Sequence, residues 1–327
     1  MTALPPTSPT APATLPIAQI LICGAMVVTL SLGIRHGFGL WLQPITQAQD
    51  WTRQTFSFAL AIQNLSYGLI GIFTGMVADR YGATKVLLVS AVLYALGLVG
   101  MASADTPLLF ALTSGLVIGA AQAGTNMALV YGVIGRQIAP ERRSWAMGVT
   151  AAAGSFGQFL MMPLEGLLII QLGWQNALLV LAAMALVILP LAYGLREPAT
   201  ALPSSSNTPS MPRQGVLQAL REATGYRSFQ LLMGSYFVCG FQVAFIGVHM
   251  PSYLKDQGLS PEMASYALAL IGLFNIFGCY MAGALGQRHA KRHILIFIYL
   301  ARASVISFFL VLPSTPLTDC LFSDFLG

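Results

Sequence analysis

Arg35, Arg302 and Glu165 each stand inside a long apolar run, where an ordinary surface charge has no place. A charge at membrane depth costs about 3 kcal/mol or more, so it is normally aimed at a water-filled cavity or a partner. A guanidinium offers a planar fork that takes a carboxylate bidentately and stays protonated at any working pH. Arg35 therefore reads as the counter-ion for an anionic solute, with snorkelling to the headgroups or helix packing as the alternative. Arg302 offers a second guanidinium, for which a structural role is favoured. Glu165 is the carboxylate placed to gain and lose a proton, with a solvated or helix-packing role beside Pro163 and Gly166 as the alternative. His249 is the second proton-coupling candidate, and His36 also titrates near neutrality. For both, a hydrogen-bonded structural histidine is the alternative.

Neutral polar residues recur in the same runs. Gln122 and Asn126, four apart, share one face of a continuous helix. With Gln63, Asn64, Gln158, Gln242 and Asn275 they suit the lining of a wet central path, or hydrogen bonds between helices. Gln122, Asn126 and Gln242 join Arg35 and Arg302 as the expected solute-binding set.

The elements that carry these residues follow from composition. The chain has 327 residues, 56% hydrophobic and 8% charged, against about 25% charged in soluble domains. A spanning helix needs roughly 20 apolar residues. Nine stretches qualify, at about 17–42, 56–77, 86–103, 108–133, 145–172, 176–195, 229–253, 263–285 and 294–312. The chain is thus expected to be an all-α polytopic membrane protein. Residues 1–16 form a disordered tail without Lys or Arg, 17–195 a six-span half, and 196–227 a polar linker. Residues 228–312 form a partial second half of about three helices, and 313–327 a tail.

Net charge is +5, but the basic residues are spread among connectors rather than gathered into a nucleic-acid stripe. With the amino terminus cytoplasmic, Arg80, Lys85, Arg136, Arg142, Arg143, Arg196, Arg213, Arg221, Arg227, Arg288, Lys291 and Arg292 all fall inside. Only Arg53 and Lys255 then lie outside, the pattern of an inner-membrane protein with an amino-in orientation. Cys23, Cys239, Cys279 and Cys320 stand singly without CxxC spacing, so neither a metal site nor a cofactor is expected. No HExxH or GxSxG pattern supports an enzyme.

One connector has an ordered sequence, Gly75-Met-Val-Ala-Asp79-Arg80-Tyr-Gly82-Ala-Thr-Lys85. Gly75 permits close helix approach, Gly82 a left-handed backbone, and the charges can pair across helix ends. A weaker copy follows the eighth span as Gly283-Ala-Leu-Gly286-Gln287-Arg288-His-Ala-Lys291-Arg292, the sign of a transporter built from repeats. This loop resembles the signature of the major facilitator superfamily, although Gln287 stands where the first copy has Asp79. Arg35-His36-Gly37-Phe38-Gly39 with Pro44, and Cys239-Gly240-Phe241-Gln242-Val243-Ala244-Phe245 before His249 and Pro251, resemble the monocarboxylate and oxalate/formate exchanger branch. The resemblance implies a secondary transporter of small solutes by alternating access; Arg35 favours organic anions such as mono- or dicarboxylates as substrate, with H+ as a candidate coupling ion. A drug or small-molecule efflux carrier is the alternative. Complete members have twelve spans, so nine imply a truncated chain that transports poorly, or a non-transporting remnant, unless another chain supplies the rest.

Overall fold

The structure is a computed structural model that describes residues 15–196, 216–256 and 261–311. The expected tails and most of the expected linker lie outside these residues, as does Cys320. Every regular element among the described residues is helical: α1 (Ile17–His36), α2 (Phe38–Ala48), α3 (Arg53–Tyr81), α4 (Ala83–Ala102), α5 (Pro107–Phe110), α6 (Ile118–Gly124), α7 (Met127–Gln137), α8 (Pro140–Leu186), α9 (Ile188–Gly194), α10 (Val216–Gly225), α11 (Arg227–Asp256), α12 (Pro261–Arg288) and α13 (Lys291–Val311). Between α5 and α6 the chain runs through a π-helical segment, Ala111–Val117.

Each of the nine expected stretches coincides with helix. Among the described residues, six segments have the length and hydropathy to cross a bilayer: Ile17–His36, Arg53–Tyr81, Ala83–Ala102, Pro107–Gln137, Pro140–Gly194 and Ala269–Arg288. One of them cannot cross as a single rod. Helix α8 has 47 residues, or about 70 Å at 1.5 Å per residue, more than twice the hydrocarbon thickness. Gly173 breaks it with φ 76° and ψ 161°, a backbone that glycine adopts without strain, and so separates the fifth and sixth spans.

Two spans are interrupted where polar residues gather. The first pauses at Gly37, whose N–H reaches the Gly33 carbonyl at a stretched 3.4 Å, and resumes as α2 with Pro44 inside it. The fourth pauses at Thr125 and Asn126. There the Asn126 side chain caps α7 by accepting from the Leu129 N–H at 3.0 Å, as Asn does at helix starts. Helix α10 lies within residues expected to be linker. Its run Val-Leu-Gln-Ala-Leu-Arg-Glu-Ala is made mostly of strong helix formers, which the surrounding Pro and Ser obscure.

The buried apolar residues form two layers. One holds Ile34, Phe38, Trp41, Phe56, Leu98, Phe110 and Leu178. The other holds Ile20, Val27, Val28, Leu87, Val130, Ile134 and Ile188. Along α1 the second layer supplies residues before Ser31 and the first layer residues after it. Along the fourth span the order reverses around Gln122 and Thr125, as antiparallel neighbours require. A thin polar level thus lies between the layers. Large side chains such as Phe58, Leu65, Leu69 and Ile170 point outward, which suits a lipid-facing surface.

Candidate functional site

The polar level is built on Arg35, in the last turn of α1. Its Nη2 donates to Asn64 Oδ1 on α3 at 2.9 Å. Its Nη1 donates to Gln122 Oε1 on α6 at 3.1 Å. The Tyr67 ring, one turn from Asn64, lies 4.0 Å from the guanidinium carbon, within cation–π range. Gln122 is buried and is itself oriented, since its Nε2 donates to the Tyr94 hydroxyl at 3.2 Å. One turn below Arg35, the Ser31 and Thr125 hydroxyls share a hydrogen bond of 2.8 Å. No carboxylate pairs with Arg35 among the described residues. Its charge is met by amide oxygens and a ring face alone, while Arg35 and Tyr67 remain partly accessible and Asn64 exposed.

The structure brings some expected residues together and separates others. Arg35 and Gln122 are in direct contact. Asn126 is not on the Gln122 face, because the helix is interrupted between them and Asn126 serves as a cap. Gln63 turns to the Ser114 carbonyl at 2.8 Å, fixing α3 against the π segment. On α13, Arg302 donates to Cys239 Sγ at 3.6 Å. The Nε2 of Gln242, on α11, is buried without a hydrogen-bond partner. His249 also lies in α11, but its side chain is outside the described residues. Glu165 is fully buried and accepts from the Trp41 indole N–H at 2.8 Å. Tyr67, Tyr94, Ser31 and Thr125 were not expected from sequence. The available signal was helical spacing, as Tyr67 lies three residues after Asn64 and Ser31 four before Arg35.

At the other end of these helices, Gly82 turns from α3 into α4 with φ 91°, as the connector sequence predicts. Asp79 pairs with Arg136 of α7 at 3.1 Å, Arg80 lies over Tyr81, and Lys85 is exposed. Gly75 has no close neighbour among the described residues. A side-chain carbon there would meet nothing within 4 Å among the described residues. The related glycine of the second copy behaves differently: Gly283 of α12 packs directly on the Gly148 backbone of α8, and the Ser144 hydroxyl donates to the Gly283 carbonyl at 3.1 Å.

A helical bundle with membrane-length apolar segments, and a guanidinium met by no carboxylate among the described residues, defines a multi-pass membrane protein. The family model for the Major Facilitator Superfamily matches residues 21–323, and the chain belongs to that superfamily of membrane transporters. It is 25% identical over 276 residues to the uncharacterized MFS-type transporter YcxA of Bacillus subtilis, covering 81% of this chain and 65% of that protein. It is 31% identical over 258 residues to mouse monocarboxylate transporter 11, covering 74% of this chain and 52% of the relative. The chain therefore spans about half to two-thirds of the length of these relatives. Among solved structures, the proton:xylose symporter XylE shares the fold with a TM-score of 0.68 at 18% identity, covering 95% of this chain and 78% of that one.

Proposed function

We propose that the protein carries small organic anions, mono- or dicarboxylates, by alternating access, and that Arg35 supplies the countercharge. The observation behind this reading is the Arg35 guanidinium, fixed by two amide oxygens from different spans with no carboxylate beside it among the described residues. Such a group keeps its full charge for a ligand, and its fork matches a carboxylate. The similarity to a monocarboxylate transporter supports the same substrate class. A proton is the coupling ion on this reading, with Glu165, the fully buried carboxylate among the described residues, as its carrier. Residues 17–195 act as a six-span half and 228–312 as part of a second, in a bacterial-type inner membrane with the amino terminus cytoplasmic.

The test is binding of L-lactate to the purified chain in detergent, with lactamide as the uncharged control. Arg35→Gln is expected to abolish lactate binding, and Arg35→Lys to retain a weakened form because an ammonium lacks the fork. Lactate affinity unchanged in Arg35→Gln refutes the anion reading. For coupling, Glu165→Gln is expected to stop proton-driven lactate uptake into vesicles carrying a transport-competent assembly while exchange of lactate for lactate continues.

A further inference from the structure

Glu165 occupies a place that an apolar side chain would fill at lower cost. It is 0% exposed, surrounded by the apolar layer that includes Trp41, Met161 and Ile34. Its Oε2 has the Trp41 N–H as a donor at 2.8 Å, whereas its Oε1 is buried without any hydrogen-bond partner. No ion pair reaches it among the described residues. A buried carboxyl with an unmet oxygen weakens a core relative to a hydrophobic residue of the same volume. Packing alone does not account for it.

Its position does. The carboxyl of Glu165 lies against Gly37, where any side chain would run into it. Gly37 is the residue at which the first span pauses, two residues beyond Arg35. The Trp41 that donates to Glu165 lies one turn into α2, on the far side of that pause. One carboxyl on α8 therefore touches the first span at the pause and one turn beyond it. Apolar packing resists separation but permits rotation and sliding, whereas a hydrogen bond fixes direction. The bond from Trp41 ties α2 to α8, and α2 continues the span whose last turn carries Arg35.

We propose that Glu165 is a positioning residue for the Arg35 anion site, acting through the Trp41 hydrogen bond and its seat on Gly37. The proposal rests on the anion reading given above and assigns Glu165 a role separate from any proton it carries. It requires only an acceptor oxygen at this place, since the amide oxygen of glutamine can accept the same indole N–H.

The experiment is L-lactate titration of the full chain in detergent, with thermal unfolding recorded for every variant. Trp41→Phe keeps the aromatic volume and removes the donor, and Glu165→Ala removes the acceptor. Both are expected to weaken lactate binding by up to about tenfold, the upper end for one hydrogen bond between uncharged groups. Glu165→Gln, which keeps an acceptor oxygen, is expected to bind lactate more tightly than Glu165→Ala. A purely structural role would lower the unfolding temperature in proportion to lost packing and leave the affinity of the folded fraction unchanged. Parent-like affinity in Trp41→Phe overturns the proposal even where Glu165→Ala fails to fold. So does a Glu165→Gln variant that binds as poorly as Glu165→Ala. Arg35→Gln in the same series separates the two ideas. If it loses lactate while Trp41→Phe does not, the anion site stands and the positioning role falls. If Arg35→Gln binds lactate normally, both fall.

Discussion

The Arg35 guanidinium has five N–H bonds, of which one goes to Asn64 and one to Gln122, leaving three for a ligand. The two amide contacts differ in their support. Gln122 is buried and held in turn by Tyr94, whereas Asn64 is exposed and its Nδ2 donates only to Leu60 of its own helix at 3.0 Å. Gln122→Leu should therefore weaken lactate binding by roughly tenfold or more, the cost of a buried hydrogen bond to a charge. Asn64→Leu should cost less, and Tyr94→Phe less again because it acts through Gln122. Titration calorimetry on the three variants checks that order. Sequence alone exposed Arg35 and Gln122, since a charge and an amide in an apolar run need a reason. It did not expose Tyr67, Tyr94, Ser31 or Thr125. Tyrosine and small hydroxyl residues sit comfortably in membrane helices, and only the folded neighbours show which of them touch the arginine.

At the level of elements, the nine apolar stretches were legible because lipid demands long uninterrupted hydrophobic runs. The breaks inside them were less so. The division at Gly173 could be placed to within a few residues from length. The interruption at Thr125 and Asn126 could not, because no proline or glycine pair marks it, and the shared face assumed for Gln122 and Asn126 was lost with it. Gly82 was legible for the opposite reason: a tight connector needs a residue tolerant of positive φ. Gly82→Ala should destabilise the protein by about 1–3 kcal/mol through backbone strain, seen as a lower unfolding temperature in detergent. Asp79→Ala should cost under about 1 kcal/mol, since the Asp79 side chain is 75% exposed and exposed pairs contribute little. Gly75 shows what such motifs leave out. Its use depends on a partner surface, and sequence does not report whether one is packed there.

For the whole molecule, α8 and α12 meet glycine on glycine. Gly148 and Gly283 meet backbone to backbone, and Gly272 meets the Phe159 backbone further along. Gly154 fits against Val28 and Leu32, and Gly157 against the Thr29 backbone, so α8 is pressed on two sides. Gly148→Val should force α8 and α12 apart and lower the unfolding temperature more than Gly75→Val, where space is open. Tags in the connectors near Arg142 and Arg288 should be inaccessible from outside intact cells, and labelling there from outside would reverse the proposed orientation. The π segment Ala111–Val117 has a consequence of its own for any change in chain length. A π turn takes up one residue more than an α turn, which sets everything after it back by about 100° relative to an uninterrupted α-helix of the same sequence. Gln122 meets Arg35 in that set-back phase. Removing a single residue between positions 111 and 117 would let the segment close to ordinary α periodicity and leave Gln122 facing Arg35. A one-codon deletion that would misalign an ordinary helix is therefore absorbed in this one.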